Sequence, residues 1–185
     1  MIVAKQQLTL AEFLEQPETK PASEYINGIV YQKPMPQGEH STIQGELVTA
    51  INQVVKSQKI AYAFPELRCT FGGRSIVPDI VVFCWERIPR TEKGRIANRF
   101  EIYPDWVIEI LSLEQSANQI IEKIIFCIHQ GTQLGWLIDP KDESVMSLKP
   151  NQLPDVKSEN DILPGLDVLG DLQLTVNQIF NWLNI

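Results

Sequence analysis

The chain has 185 residues, 44% of them hydrophobic and 21% charged, which is ordinary for a globular protein and favours one domain. No run approaches the roughly 18 apolar residues that span a bilayer, and the start of the chain lacks the basic-then-apolar order of a signal peptide. We therefore expect a single cytoplasmic domain over residues 1–185 with no membrane partner. The net charge of -7 disfavours a protein that binds nucleic acid over its whole surface.

The first part of the chain predicts a short helix, a hairpin and a long helix. Thr9 and Glu12 have capping-box spacing, which predicts a helix that ends near Pro17. Asn27-Gly28 lies between two short β-prone runs and predicts a hairpin. From 40 to 56, apolar residues recur at spacings of three and four, as one face of a helix requires.

The middle of the chain predicts three strands, over 60–64, 66–71 and 75–85, with Gly72-Gly73 as the turn before the third. The third run is almost continuously apolar and is typical of a central strand. The segment 87–105 is polar and rich in breakers, so we expect a long exposed loop.

A second buried strand is predicted over 105–113, followed by a helix over 116–129 whose Ser116 and Gln119 again have capping-box spacing. Strands over 135–140 and 143–150 and a helix over 174–183 complete the pattern. This order of elements indicates an α/β or α+β domain with a mixed β-sheet flanked by helices and an N-terminal hairpin.

Each of the two most apolar strands carries a carboxylate, Asp79 in one and Glu109 in the other. Burying an ionised carboxylate costs several kcal/mol unless a cation or a metal compensates it. Asp79 and Glu109 could instead each pair with a Lys or Arg, or lie at a strand end that water reaches. If the strands are neighbours, the two carboxylates converge as ligands for a hard cation such as Mg²⁺, with Lys123 one helix away.

Basic residues concentrate in one stretch that carries few acids. They could contact nucleic-acid phosphates despite the acidic total charge, and a solvated loop of mixed charge is the alternative. The candidate phosphate contacts are Arg74, Arg87, Arg90, Lys93 and Arg95.

Motifs along nearly the whole chain resemble the Uma-two type restriction endonucleases, a branch of the PD-(D/E)xK nuclease superfamily. They are Glu24-Tyr-Ile-Asn-Gly28, His40, Pro78-Asp79, Glu109-Ile-Leu-Ser112, Lys123, Gly131, Trp136-Leu-Ile-Asp139-Pro140 and Leu163-Pro-Gly165.

The resemblance implies a restriction-endonuclease-like core and a Mg²⁺- or Mn²⁺-dependent endonuclease that acts on DNA and leaves a 5′-phosphate and a 3′-hydroxyl. Asp79, Glu109 and the backbone carbonyl of Ile110 would bind the metal. Leu111 occupies the place of the usual lysine, and Lys123 from the next helix would substitute for it.

The resemblance also leaves a third acid to be identified, which Glu46 or Glu66 could supply. A homodimer is expected of a nuclease that cuts both strands of a duplex. The chain departs from the family pattern at Leu113, Gln119 and Cys127, where a proline, an acid and an aromatic residue are usual.

Other functions and roles stay open. A catalytically inactive nuclease fold that serves as a binding or assembly module is favoured by the net acidity, Leu111 and Gln119. A small-molecule hydrolase could use the same metal site. We expect His40 to cap a helix or face solvent rather than take part in chemistry, and the tryptophans to pack in the core rather than stack on bases.

Overall fold

The computed structural model describes residues 8–113, 115–170 and 172–184. Residues 1–7 lie outside the described residues. The helices are α1 (Leu10–Leu14), α2 (Gly38–Val55), α3 (Ala117–Gln130) and α4 (Val176–Asn181). The strands are β1 (Ser23–Ile26), β2 (Ile29–Gln32), β3 (Ala61–Pro65), β4 (Cys69–Phe71), β5 (Arg74–Ile76), β6 (Ile80–Cys84), β7 (Trp106–Ile110), β8 (Leu134–Asp139), β9 (Ser144–Leu148) and β10 (Asp155–Ser158).

A six-stranded mixed sheet forms the centre of the molecule, in the order β10-β9-β8-β7-β6-β3. β7 and β8 are parallel and all other neighbours are antiparallel. In the β6–β7 pair Ile80 lies opposite Ile108, so continuing the same register places Asp79 opposite Glu109. The expectation that the two acidic strands are neighbours is confirmed.

Helices cover both faces of this sheet because its central strands are apolar on both sides. α2 and α4 pack on one face, where Leu47, Ile51 and Ile179 are fully buried. α3 packs on the other face through Ile120 and Ile124. Among the described residues no helix has the length and apolarity needed to cross a membrane.

A second sheet of four strands, in the order β2-β1-β5-β4, lies beside the α3 face. Asn27 and Gly28 form the predicted hairpin turn, with φ angles of 53° and 85° that suit Asn and Gly. Gly72-Gly73 forms the predicted turn between β4 and β5.

Three details differ from the sequence-based expectations. The run 75–85 is not one strand: it divides at Val77-Pro78 into β5 and β6, which belong to different sheets, because Pro78 has no N–H to continue a ladder. Ser116 precedes α3 without a side-chain cap hydrogen bond. β10 comes from a polar segment in which no strand was predicted.

α3 approaches the central sheet closely at Gly135 in β8. A Cβ atom built on Gly135 would lie 2.2 Å from Cγ2 of Ile124. The absence of a side chain at this position therefore sets the depth of α3, and with it the position of the neighbouring Lys123.

We expect Gly135→Ala to lower the free energy of unfolding by about 1–3 kcal/mol, because the added methyl group would overlap Ile124 in a packed interior. Gly45→Ala is the matched control, since a Cβ on this exposed glycine of α2 meets nothing within 4 Å. It should raise stability by about 0.5–1 kcal/mol through helix propensity. Urea denaturation of both variants measures the two changes, and equal effects would contradict the packing role of Gly135.

Candidate active site

Asp79 lies immediately before β6 and is only 2% exposed. Its Oδ1 accepts a hydrogen bond from Lys33 Nζ at 2.6 Å, and its Oδ2 accepts one from the backbone N–H of Ile110 at 2.8 Å. His40 Nε2 lies 3.1 Å from the same Oδ2. Both carboxylate oxygens of Asp79 are therefore engaged.

Glu109 lies in β7 on the sheet face covered by α3 and is 1% exposed. Lys123 Nζ is 2.8 Å from its Oε1, which is ion-pair distance. The direction of this contact is outside hydrogen-bond geometry, and Oε1 accepts no hydrogen bond from any part of the chain that the structure describes. Glu109 thus has a buried oxygen with unused capacity as an acceptor.

Lys123 lies in the second turn of α3, 4% exposed, and contacts two carboxylates. Besides Glu109, its Nζ donates to Glu24 Oε1 at 3.0 Å and Oε2 at 3.3 Å. The predicted substitution of a helical lysine for the strand lysine is consistent with this position, because the ammonium reaches the strand carboxylate from the helix.

Glu24 in β1 is the third carboxylate of the site, and it was not among the predicted site residues. It is 6% exposed, and its Oε1 also accepts the backbone N–H of Val77 at 2.8 Å. β1 buries two consecutive residues, Glu24 and Tyr25, so strict alternation of apolar and polar residues did not mark Glu24 as inward-facing.

Residues 33–44, which connect β2 to α2 and form its first turns, hold Asp79 at three atoms. Lys33 and His40 contact its carboxylate, and Gln44 Nε2 donates to its backbone oxygen at 2.7 Å. His40 is 8% exposed and makes no cap, so the expectation that it caps a helix or faces solvent was wrong. No feature of the sequence marked Lys33 as a site residue, because its contact with Asp79 depends on the fold.

The charged cluster of this protein consists of these six side chains: Glu24, Lys33, His40, Asp79, Glu109 and Lys123.

The cluster shifts the pKa of each central group. Burial alone would raise the pKa of Asp79, but the charge of Lys33 and the hydrogen bond from His40 outweigh it and hold that pKa well below its ordinary value. Burial raises the pKa of Glu109 to about 7, with the negative charge of Asp79 adding to the shift and Lys123 opposing it. Burial lowers the pKa of Lys123, yet Glu109 and Glu24 reverse this and raise it.

The two acids proposed from sequence as a third ligand have exposed side chains and make no ion pair with the cluster among the contacts of the described residues. Glu46 is exposed on α2, and Glu66 is exposed with its backbone N–H, rather than its carboxylate, bonded to Asp79 O at 3.0 Å. Glu24, rather than Glu46 or Glu66, is the third carboxylate of the charged cluster. The N–H of Ile110, whose carbonyl was predicted to bind the metal, donates to Asp79 Oδ2.

The candidate phosphate contacts separate into one residue near the cluster and four distant from it. Arg74 lines the same cleft as Lys123, with its guanidinium 4.1 Å from the ring centroid of Phe126. Arg87 is bound to Asp105 at 2.6 Å, in the segment after β6. Asp79 lies at one end of β6 and this segment follows the other end. At the rise per residue of a β-strand, Asp79 and the segment are about 20 Å apart.

Arg90, Lys93 and Arg95 lie in the same distant segment. Arg90 stacks over Trp85 at 5.2 Å, while Lys93 and Arg95 line a separate shallow depression. The structure does not bring these residues together with the acidic pair.

Two clefts flank the charged cluster. One of about 520 Å³ is lined by Glu24, Lys33 and Lys123, and so exposes the cluster from the side of the hairpin. The other, of about 720 Å³, is lined by His40. Gln115 borders both clefts, so they meet near the carboxyl end of β7.

The donor set suits one hard cation with few protein ligands. Asp79 and Glu109 offer carboxylate oxygens at adjacent positions, and Glu109 Oε1 is buried without a hydrogen bond from the described chain. Within residues 8–113, 115–170 and 172–184, no group of three or more His, Cys, Asp or Glu side chains is arranged to hold a metal ion. Such a set fits Mg²⁺, which typically binds through one or two carboxylates and retains several waters.

A solved structure from Anabaena variabilis ATCC 29413, described as "a putative nuclease belonging to DUF820", is similar to this chain over nearly its whole length. The two share 54% sequence identity with a TM-score of 0.93, over 95% of this chain and 99% of that one. No curated protein matches the chain. The model of the Uma2 family, described as "Putative restriction endonuclease", matches residues 10–177, and this chain therefore belongs to the Uma2 family.

Proposed function

We propose that this protein is a Mg²⁺- or Mn²⁺-dependent endonuclease that hydrolyses phosphodiester bonds of DNA. The observation that carries the proposal is the meeting of Asp79, Glu109 and Lys123 in one buried cluster, of which Lys123 lines an open cleft. Membership of the Uma2 family and the similarity to the Anabaena protein described as "a putative nuclease" support it.

The metal ligands we propose are Asp79, Glu109 and the backbone carbonyl of Ile110. The N–H of Ile110 orients the Asp79 carboxylate toward β7, so the two acids lie at the same end of the β6–β7 pair. A bound divalent cation would supply Lewis-acid stabilisation of the scissile phosphate in phosphodiester hydrolysis.

Lys123 is the group we place against the charge that develops on the phosphate. Its ammonium is buried and fixed by Glu24 and Glu109, so it needs little reorganisation when the phosphate becomes more negative. Water attacks phosphorus, the bond from phosphorus to the 3′-oxygen breaks, and the products are a 5′-phosphate and a 3′-hydroxyl. Arg74 lies along the same cleft and is placed to contact a neighbouring backbone phosphate.

A catalytically inactive module is the second candidate, and one observation favours it. Each carboxylate of the cluster is already within ion-pair distance of Lys33 or Lys123, so the fold can bury these acids without a metal. Metal binding and DNA cleavage distinguish the two candidates.

We expect Asp79→Asn and Glu109→Gln each to weaken Mn²⁺ binding by at least about tenfold in calorimetry, since each removes a charged oxygen ligand. Glu109→Gln should stay folded, because burial already disfavours the ionised form of this carboxylate.

Glu46→Gln and Glu66→Gln are matched controls, because both acids are exposed and lie outside the cluster. They should bind Mn²⁺ as the wild type does. Absence of Mn²⁺ binding in the wild type would reject the metal-dependent nuclease in favour of the inactive module.

We expect Lys123→Met to reduce the cleavage rate of a DNA duplex in Mg²⁺ by about 10²–10³-fold, because it removes a preorganised positive group from the reacting phosphate. Lys93→Met removes the same charge from the distant loop and should leave the rate unchanged. Equal rates for the wild type and Lys123→Met would contradict the role given to Lys123, and circular dichroism establishes that both variants are folded.

We also propose that two copies pair through β2, which would give a duplex-cutting enzyme two sites. β2 is an edge strand of the four-stranded sheet, and its Ile29, Val30 and Tyr31 are 49%, 42% and 43% exposed. By contrast β10, an edge strand of the six-stranded sheet, carries the exposed charges of Asp155 and Lys157 that commonly protect a strand edge. β2 has no charged residue, so two acidic copies meet there with little repulsion.

We expect Val30→Lys to convert a wild-type dimer to a monomer in light scattering, because it places a like charge on both copies at the shared edge. Val156→Lys, on the exposed surface of β10, is the control and should not change the mass. A monomeric wild type at micromolar concentration would reject this interface.

A further inference from the structure

We propose that Lys33 is an internal counterion that occupies the metal-facing oxygen of Asp79 and that moves to the substrate phosphate when a divalent cation binds. The inference deepens the proposed nuclease function and rests on it. In this proposal Lys33, in the segment after the hairpin, acts on the substrate phosphate together with Lys123 of α3.

The contacts of Lys33 are those of a buried counterion. Its Nζ donates to Asp79 Oδ1 at 2.6 Å and to the backbone oxygen of Val77 at 2.8 Å, and its side chain is 8% exposed. The ammonium thus occupies one of the two oxygens that Asp79 could give to a cation. The other oxygen accepts the N–H of Ile110, so a divalent ion must compete with Lys33 for Asp79.

The charge of the cluster argues for this exchange. Three carboxylates stand against the ammonium groups of Lys33 and Lys123, which leaves a net charge of -1 when every acid is ionised and His40 is neutral. A divalent cation would bring the total charge of the cluster and the ion to +1, which would neutralise the single negative charge of one phosphodiester. A second positive charge held close to the metal is costly at short range, whereas the same charge beside a phosphate is stabilised.

The position of Lys33 allows the movement. It follows the last residue of β2, and its backbone N–H is held by Ala22 O at 2.9 Å, so the main chain is anchored while the long side chain can turn. Lys33 lines the same 520 Å³ cleft as Lys123 and Arg74. The space into which its ammonium would turn is therefore the space assigned to the substrate.

A structural role for Lys33 and a counterion role have opposite consequences for metal binding. If Lys33 only holds Asp79 in place, its removal should weaken the metal site. If it competes with the metal, its removal leaves Asp79 Oδ1 without a cation, and the divalent ion should bind more tightly.

Calorimetry with Mn²⁺ on Lys33→Met, Lys33→Arg and the wild type tests the proposal. We expect Lys33→Met to bind Mn²⁺ on the order of tenfold more tightly than the wild type, because a nearby positive charge is gone. Lys33→Arg keeps the charge and should stay within about threefold of the wild type on the same ground. Lys93→Met, which removes an equal charge from the distant loop, should not change the affinity.

The second arm measures binding of a short single-stranded oligonucleotide in Ca²⁺, chosen as a divalent ion expected to support binding without turnover. Lys33→Met should bind it more weakly than the wild type, although it binds Mn²⁺ more tightly. A crystal structure of the wild type with Mn²⁺ should show Lys33 Nζ separated from Asp79 Oδ1, and this measurement does not depend on the folding of any variant.

The outcomes separate the two proposals. Equal or weaker Mn²⁺ binding by folded Lys33→Met, or a Mn²⁺ complex in which the contact between Lys33 and Asp79 persists, overturns the counterion role and leaves the nuclease proposal standing. Lack of Mn²⁺ binding by the wild type and by Lys33→Met overturns both.

Discussion

The compensation of buried carboxylates by lysine is the interaction on which the rest of this structure depends. Glu24, Asp79 and Glu109 are each at most 6% exposed, and an ionised carboxylate in such surroundings is costly unless a cation is close. Lys33 and Lys123 supply those cations from two different parts of the chain. Removing either partner would leave a buried charge uncompensated, so the hairpin, the central sheet and α3 are tied together at this point.

Ordinary packing places these charges. The antiparallel pairing of β6 and β7 aligns Asp79 with Glu109, and Pro78 separates β5 of the four-stranded sheet from the aspartate. Gly135 lets α3 approach β8, which brings Lys123 within reach of the strand. Residues 33–44 then cover Asp79 from the opposite side. The site is therefore formed where three separately encoded elements meet.

The acidic total charge and a nucleic-acid substrate are compatible because the relevant field is local. Lys33, Lys123 and Arg74 line the cleft over the cluster, while the basic residues of the loop after β6 lie at the far end of the sheet and are partly engaged by their own neighbours. With so few cations at the cleft, the affinity of the proposed nuclease for a phosphate backbone would depend strongly on the charge that a metal adds. In the proposed nuclease, substrate binding and metal binding would therefore be coupled.

The sequence by itself determined the main elements, the neighbouring acidic strands and the family, because these follow from local patterns: capping boxes, the Asn27-Gly28 turn, helical periodicity and carboxylates inside apolar runs. Asp79 and Glu109 could be named in advance since each is a carboxylate inside an apolar strand, and Lys123 was named from the resemblance to the family. Only the tertiary structure decided that Glu24 joins the same charged cluster, that Lys33 and His40 contact Asp79, and that the loop from Arg87 lies far from them. The physical reason is that a charged residue in a short hairpin or a connecting segment has the same local pattern whether it faces water or a partner distant in the chain.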